Sequence, residues 1–358
     1  MKKKTVCLNM IVKNEAHVIE KCLATVKNFI DYWVIFDTGS TDKTQDLIRD
    51  YLKDVPGELH ESPWVNFAHN RNEVLSIAKE KADFSLIIDA DEQLILQPDF
   101  KWPDLSKDMY NIIVRDLTLI EKWFLINHEI DWKWVGVMHE TIISDQIRSK
   151  ELIEHAYIFS YNDGARSKDP QKILKDAQLL EQHLQNHPDD LRSRFYAGIC
   201  YYNSAVYDKA LHHFFLRSQT VGDDRELFMS FMMQGKIQQY FKKDASEIIK
   251  SYERACAIAP YRAEPWFYLG VYYQELSNFE MSYQILKKAQ TDVFFEPFYQ
   301  EKEIYDWKLS YFLARSCLMT KRVNEIYEPL SKVILCKTLP EDVRVETEKN
   351  LHILEKMR

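Results

Sequence analysis

Apolar and polar positions alternate along this chain in two different rhythms. In the first part, short β-branched and aromatic runs at residues 5–12, 32–36, 84–88 and 110–114 are separated by stretches at 15–28, 41–52 and 70–81. In those stretches apolar residues recur with the spacing of one helix face. Short apolar runs bounded by turn residues predict buried strands, and the 3.6-residue rhythm between them predicts helices. Strands alternating with helices predict an α/β layered sheet. The first run follows Lys2, Lys3 and Lys4, as in a secretion signal, but it stops at Lys13-Asn14-Glu15 and reads as a first buried strand. No stretch approaches the ~20 apolar residues that cross a bilayer, so no membrane span is expected.

Beyond residue 165 the rhythm is helical throughout, with a 34-residue period. Trp266, Leu269, Gly270, Tyr273, Ser282, Leu286 and Ala289 stand at the spacings of the tetratricopeptide pattern, which sets small residues where two helices cross closely. One period before Ala289 stands Ala255, with Tyr252 before it and Pro260 after it. Gly198, Tyr201, Ala210 and Phe214 repeat the same internal offsets. Gly198 and Gly270 are 72 residues apart, four more than two periods, which predicts an insertion near residues 242–246. Residues 300–356 continue as helices with weaker matches, as terminal capping units do. Two domains follow: an α/β unit over 1–165 and an all-α tetratricopeptide solenoid over 166–358.

Composition narrows the function. The 358 residues carry 47 basic and 55 acidic side chains, a net charge of −8, which lacks the positive footprint of a polynucleotide binder. No nucleic-acid partner is expected. With 8 glycines, 11 prolines and 46% hydrophobic residues, the chain is neither disordered nor loop-rich. Cys7, Cys22, Cys200, Cys256, Cys317 and Cys336 form no CxxC pair and sit among apolar neighbours, as free thiols of a cytoplasmic protein would.

Candidate chemistry gathers after the predicted strands. Asp89-Ala90-Asp91 follows an apolar run, so alternation sends both carboxylates to one side and Ala90 to the other. Two hard oxygen ligands in this arrangement suit Mg²⁺ or Mn²⁺ on a diphosphate, whereas alone they are also what a solvated loop carries. Asp37 ends the second run and leads into Thr38-Gly39-Ser40-Thr41-Asp42, whose polar residues can cap the next helix. A carboxylate at that strand end could also accept from a nucleobase N–H. Asn70-Arg71-Asn72 opens a helix, where Arg71 can reach a phosphate or the paired acids. Ligands of open α/β sheets collect outside the carboxyl ends of strands, where Asp37, Asp89 and Asp91 all lie.

In this order and spacing, Met10-Ile11-Val12-Lys13-Asn14-Glu15, Asp37 to Asp42, Asn70-Arg71-Asn72 and Asp89-Ala90-Asp91-Glu92 closely resemble the nucleotide-sugar half of glycosyltransferase family 2 enzymes with a GT-A fold. Trp134-Val135-Gly136-Val137-Met138-His139-Glu140 resembles the Gly-x-x-His-Glu segment of the branch with C-terminal tetratricopeptide repeats, which includes bacterial peptide S/O-glycosyltransferases of the sublancin-glycosyltransferase type.

The resemblance implies a metal-dependent, inverting transferase that moves a hexose or N-acetylhexosamine from a nucleoside-diphosphate sugar, most often of uridine. It implies that Val12, Asn14, Glu15, Asp37, Ser40, Arg71, Asp89, Ala90 and Asp91 line the donor site, with Asp37 on the base, Asp89 near the ribose and Asp91 on the metal. Inversion needs one base across the sugar from the leaving group. Either Glu140 is that base and His139 a third metal ligand beside Asp89 and Asp91 or a donor to the diphosphate, or His139 is the base and Glu140 structural. Trp132 and Trp134 could form an acceptor-side stacking platform or pack against the sheet. His155 could close the donor site or cap the sheet. A peptide or protein acceptor, through a Cys or Ser side chain, suits a concave repeat surface; the same helices could instead form a homodimer. Competing readings are a cell-surface oligosaccharide or lipid acceptor, a non-catalytic peptide-binding scaffold, and a nucleotidyltransferase that would release pyrophosphate.

Overall fold

A computed structural model describes residues 3–115, 119–289 and 300–357. Its chain contacts divide it into two compact units, Met1–Ala205 and Val206–Arg358.

The first unit is built on an eight-stranded mixed sheet. Its strands are β1 (Val6–Val12), β2 (Tyr32–Asp37), β3 (Gly57–Glu61), β4 (Phe84–Ile87), β5 (Glu92–Leu96), β6 (Met109–Arg115), β7 (Leu119–Asn127) and β10 (Lys150–Ser160), in the order β3-β2-β1-β4-β7-β6-β10-β5. The strands β8 (Lys133–Val135) and β9 (Thr141–Ile143) form a separate antiparallel pair. The interior strands β1 and β4 are apolar on both faces because helices cover both. Leu8, Met10, Leu86 and Ile35 pack with Ile19, Leu23 and Ile48 of α1 (Ile19–Val26) and α2 (Thr44–Tyr51). On the opposite face Cys7, Val34 and Phe36 pack with Val74 and Ala78 of α3 (Phe67–Ala78).

β1 pairs in parallel with both β2 and β4, so the chain leaves β1 toward one side of the sheet and later returns on the other. Between β1 and β4 lies a switch point, with the carboxyl ends of β1, β2 and β4 on one edge. The unit closes with α4 (Lys172–Asn186) and α5 (Leu191–Asn203), which pack on each other. The sequence divides the chain at 165/166; the contacts divide it at 205/206, because α4 and α5 belong with the sheet.

The second unit is helical: α6 (Tyr207–Arg217), α7 (Asp224–Tyr240), α8 (Ala245–Ile258), α9 (Ala263–Glu275), α10 (Phe279–Leu286), α11 (Leu309–Met319), α12 (Val323–Ile334) and α13 (Glu341–Met357). Each packs on the next in chain order, the nearest-neighbour stacking of a tetratricopeptide-like array. A Cβ on Gly235 of α7 would lie 2.6 Å from the Tyr252 ring of α8, and one on Gly270 of α9 would lie 2.5 Å from Leu286 of α10. Small residues thus stand where paired helices cross. Gly235 lies 37 residues after Gly198 and 35 before Gly270, so most of the extra length falls in the α6–α7 connection rather than near residues 242–246. Among the described residues no helix is long and apolar enough to cross a membrane.

Candidate active site

The loops leaving β1 and β2 are laced together by the polar residues of their motifs. Asn14 takes the left-handed conformation at φ 58°, donates its backbone N–H to Ser40 Oγ at 2.8 Å and accepts from the Thr41 N–H at 2.7 Å. Thr38 donates to the Val12 carbonyl through N–H and Oγ1, at 2.9 and 3.1 Å. Asp42 accepts from the Thr44 and Ala16 N–H groups. Much of this motif therefore builds the turn.

Asp37 differs. Its Oδ1 accepts from the Gly39 and Ser40 N–H groups at 2.8 and 2.6 Å, whereas Oδ2 is buried with no partner. Buried polar atoms are almost always satisfied, so an orphan acceptor at the carboxyl edge of the sheet invites a ligand donor.

The Asn70-Arg71-Asn72 triplet serves three directions, because successive helix residues point about 100° apart. Asn70 clamps the preceding loop by accepting from the Val65 N–H and donating to the Pro63 carbonyl. Asn72 pairs with both backbone groups of Trp134 at 2.9 Å, acting as a neighbour strand to β8. Arg71 lies between them, 4% exposed, and bridges two acids: Nη2 donates to Asp89 Oδ1 at 2.6 Å and Nε to Glu140 Oε1 at 2.8 Å. Its Nη1 is buried without a partner. The guanidinium sits over the Trp134 ring, 5.0 Å from its centre.

Asp89 and Asp91 have unlike surroundings. Asp89 Oδ2 accepts from Lys122 Nζ at 2.9 Å, and Lys122 also meets Glu92 at 2.8 Å. Burial would raise the Asp89 pKa, but the Lys122 and Arg71 charges and their hydrogen bonds outweigh it and hold the carboxyl well below the usual range. Asp91 has no cation within ion-pair distance among the described residues; its Oδ2 accepts from the Gly164 N–H at 3.3 Å. Burial, followed by the charge of Asp89, pushes its pKa up. Glu15 is raised by burial and, more weakly, by Asp91, while its carboxylate accepts from the Ala165 N–H. A Cβ on Gly164 would lie 2.9 Å from Asp91 Oδ2, so a larger residue there would push the carboxylate aside. Asp91 borders a shallow recess, open to solvent, with Val18, Lys21, Cys22 and Tyr161. Ala90 is buried in the core, as alternation requires.

His139 and Glu140 diverge. Glu140 faces Arg71, while the His139 ring stacks on Tyr196 of α5 at 4.2 Å, with Nε2 3.9 Å from Cys200 Sγ. The residue keeps solvent-exposed surface, yet burial of the ring, then Arg192, Arg166 and Lys172, push its pKa down to about 4. Among the described residues no three His, Cys, Asp or Glu side chains are grouped to hold a metal ion. The expected trio Asp89, Asp91 and His139 is therefore not assembled, because both Asp89 oxygens are engaged by cationic side chains and the imidazole is turned onto α5.

Trp134 is 1% exposed and belongs to a core with Ala68, Ile87, Met109, Ile126 and Ile142, with Trp132 and Trp123 against it. Trp132 Nε1 donates to the Asn127 carbonyl at 2.7 Å. Trp134 thus lies beneath the guanidinium and Trp132 packs against the same core, so the two tryptophans expected on the acceptor side form no open platform. His155, at φ 56°, occupies the register shift of β10. Sequence reasoning missed Lys122, because the register shift between β6 and β7 breaks the alternation that would mark an inward-facing base.

Residues 7–105 match the family model described as glycosyl transferase family 2. The N-terminal part of this chain is a glycosyl transferase family 2 domain. Over 105 residues the chain is 35% identical to a TPR repeat-containing protein of Synechococcus elongatus, covering 29% of this chain and 24% of that protein. Over 88 residues it is 35% identical to the SPbeta prophage-derived glycosyltransferase SunS of Bacillus subtilis, covering 24% and 20%. The chain thus spans about a quarter or less of the length of these curated relatives. Among solved structures, MamA overlays 51% of this chain and 92% of its own at 10% identity, with a TM-score of 0.36.

The family 2 domain implies a nucleotide-sugar donor and a divalent cation. Mg²⁺ and Mn²⁺ are commonly held by one or two carboxylates, with substrate phosphates and water completing the shell. Asp91, raised in pKa and lacking a cationic partner, fits a cation brought in with a diphosphate.

Proposed function

We propose that this chain is an inverting glycosyltransferase that uses a nucleoside-diphosphate sugar, favoured as a uridine diphosphate hexose or N-acetylhexosamine. The observation that carries the reading is the ion-pair chain Asp89–Arg71–Glu140, which ties the donor-motif acid to an acceptor-side carboxylate beside a switch point. Asp37 receives the base through its orphan oxygen, Asn14 and Ser40 shape the turn around it, and Val12 and Glu15 line the β1 exit. Arg71 directs its unpaired Nη1 to the donor. Asp91 holds the cation, which when bound offsets the charge gathering on the departing diphosphate.

Glu140 is the base that takes the proton from the acceptor nucleophile, since the His139 ring is engaged on α5. Arg71 orients that carboxylate and links it to Asp89, so one guanidinium aligns both sides of the reacting sugar. The acceptor is a Cys or Ser side chain of a peptide. A thiol ionises near ~8.5 and needs less help from a base than a hydroxyl. The helical unit offers this acceptor a surface of the kind stacked repeats provide.

The test is incubation with Mn²⁺, a panel of sugar nucleotides and candidate peptides, read by nucleoside diphosphate release and peptide mass. Transfer of one sugar per peptide, lost in Glu140→Gln while donor binding persists, is expected. Release of pyrophosphate, or full activity of Glu140→Gln, overturns the reading.

A further inference from the structure

The 136–140 turn between β8 and β9 is held from a helix that the 34-residue rhythm assigns to the repeats. Gly136 stands at φ 97° and His139 at φ 50°. Glycine accepts such a conformation freely, but histidine does so at a cost and only where neighbours over-determine it. On α5, Arg192, Tyr196 and Cys200 fall at i, i+4 and i+8 and form one stripe. All three meet His139. Arg192 Nε and Nη2 both donate to its carbonyl at 3.1 Å, Tyr196 stacks on its ring at an interplanar angle of 13°, and Cys200 Sγ lies at its Nε2. Arg192 also lies over the Tyr196 ring, 4.9 Å from its centre. These residues all belong to the first compact unit.

We infer that α5 is part of the transfer machinery and that Arg192 is a positioning residue, acting through the His139 turn to present Glu140 to Arg71. The inference rests on the role proposed for Glu140. Two parallel N–H donors on one carbonyl fix the peptide plane on which the direction of the next side chain depends. Glu140 then meets Arg71 at 2.8 Å. His139 is accordingly the anchor of the turn. A helix so attached makes the folding of α5 a condition for chemistry at the sheet edge, independent of any acceptor.

The test uses the full chain with Mn²⁺ and a panel of UDP- and GDP-hexoses, water serving as acceptor. Arg192→Ala should lower kcat about 10- to 100-fold while donor KM stays within about twofold, the cost of a misplaced catalytic group. Arg192→Lys, which keeps a charged donor, should recover most of that loss. In Glu140→Gln, adding Arg192→Ala should cost nothing more, since residues acting as one unit are non-additive. Hydrogen exchange should quicken at 136–140 in Arg192→Ala while α5 stays protected. Wild-type kcat in Arg192→Ala, an additive loss in the double variant, or lowered thermal stability with unchanged kcat and KM would overturn the inference while leaving the role of Glu140 intact. No turnover by the unsubstituted chain, or full turnover by Glu140→Gln, would overturn the functional reading and this inference with it.

Discussion

Asp89 and Asp91 are separated by one residue and their pKa values are driven in opposite directions, the first down by Lys122 and Arg71, the second up by burial and by Asp89. Paired groups with diverging pKa values mark divided roles at a site. The sign of the Asp91 shift has a measurable result. Its folded pKa lies above the ordinary 3.8, so the folded chain retains a proton that the unfolded chain has lost, and stability falls as pH rises through that interval. Asp91→Asn should therefore stabilise the protein at neutral pH, with the gain fading as pH falls into the ordinary carboxylate range, in urea unfolding followed across pH. The same variant should lose about a hundredfold or more in metal-dependent turnover. Arg71→Met should do the reverse of stabilising. It strands Glu140 and half of Asp89, and breaking a buried pair costs about 3 kcal/mol, visible as a lower urea midpoint.

At the scale of elements, legibility in the sequence follows burial. β1, β2 and β4 announce themselves because they are apolar on both faces. β3, Gly57–Glu61, escapes because it is an edge strand whose positions are all partly exposed, which erases the alternation. β7 and β8 enclose the aromatic stretch read as either loop or packing, and packing prevails because the indole of Trp134 covers a buried guanidinium. In the helical unit the small residues of the period are steric requirements. Gly270→Val would drive a methyl-bearing carbon into Leu286, and Gly235→Val into Tyr252. Each should destabilise that unit by about 1–3 kcal/mol, as overpacking does, measured by urea unfolding of the full chain.

Across the whole molecule, the division into units bears on how the chain can be cut. A chain ending at Ala205 retains Gly164, Ala165, α4 and α5, and should unfold cooperatively and still release nucleoside diphosphate from the donor. A chain ending at Asp163 lacks the amides that meet Asp91 and Glu15, along with the α5 stripe under His139, and should lose that release. Circular dichroism melts and a nucleotide-release assay on both truncations test this.

What the sequence determined by itself is local. Apolar runs specify which segments become strands, their ends carry Asp37, Asp89 and Asp91 to one edge, and a 34-residue period specifies stacked helices, because each follows from spacing within a few turns or residues. What only the tertiary structure decided is pairing at a distance. Arg71 joins Glu140 across 69 positions, Lys122 reaches Asp89 across 33, and Arg192 takes the His139 carbonyl across 53. Such partners carry no mark in local periodicity, since a buried cation and its acid are matched by the packing of sheet and helix that leaves them no other partner.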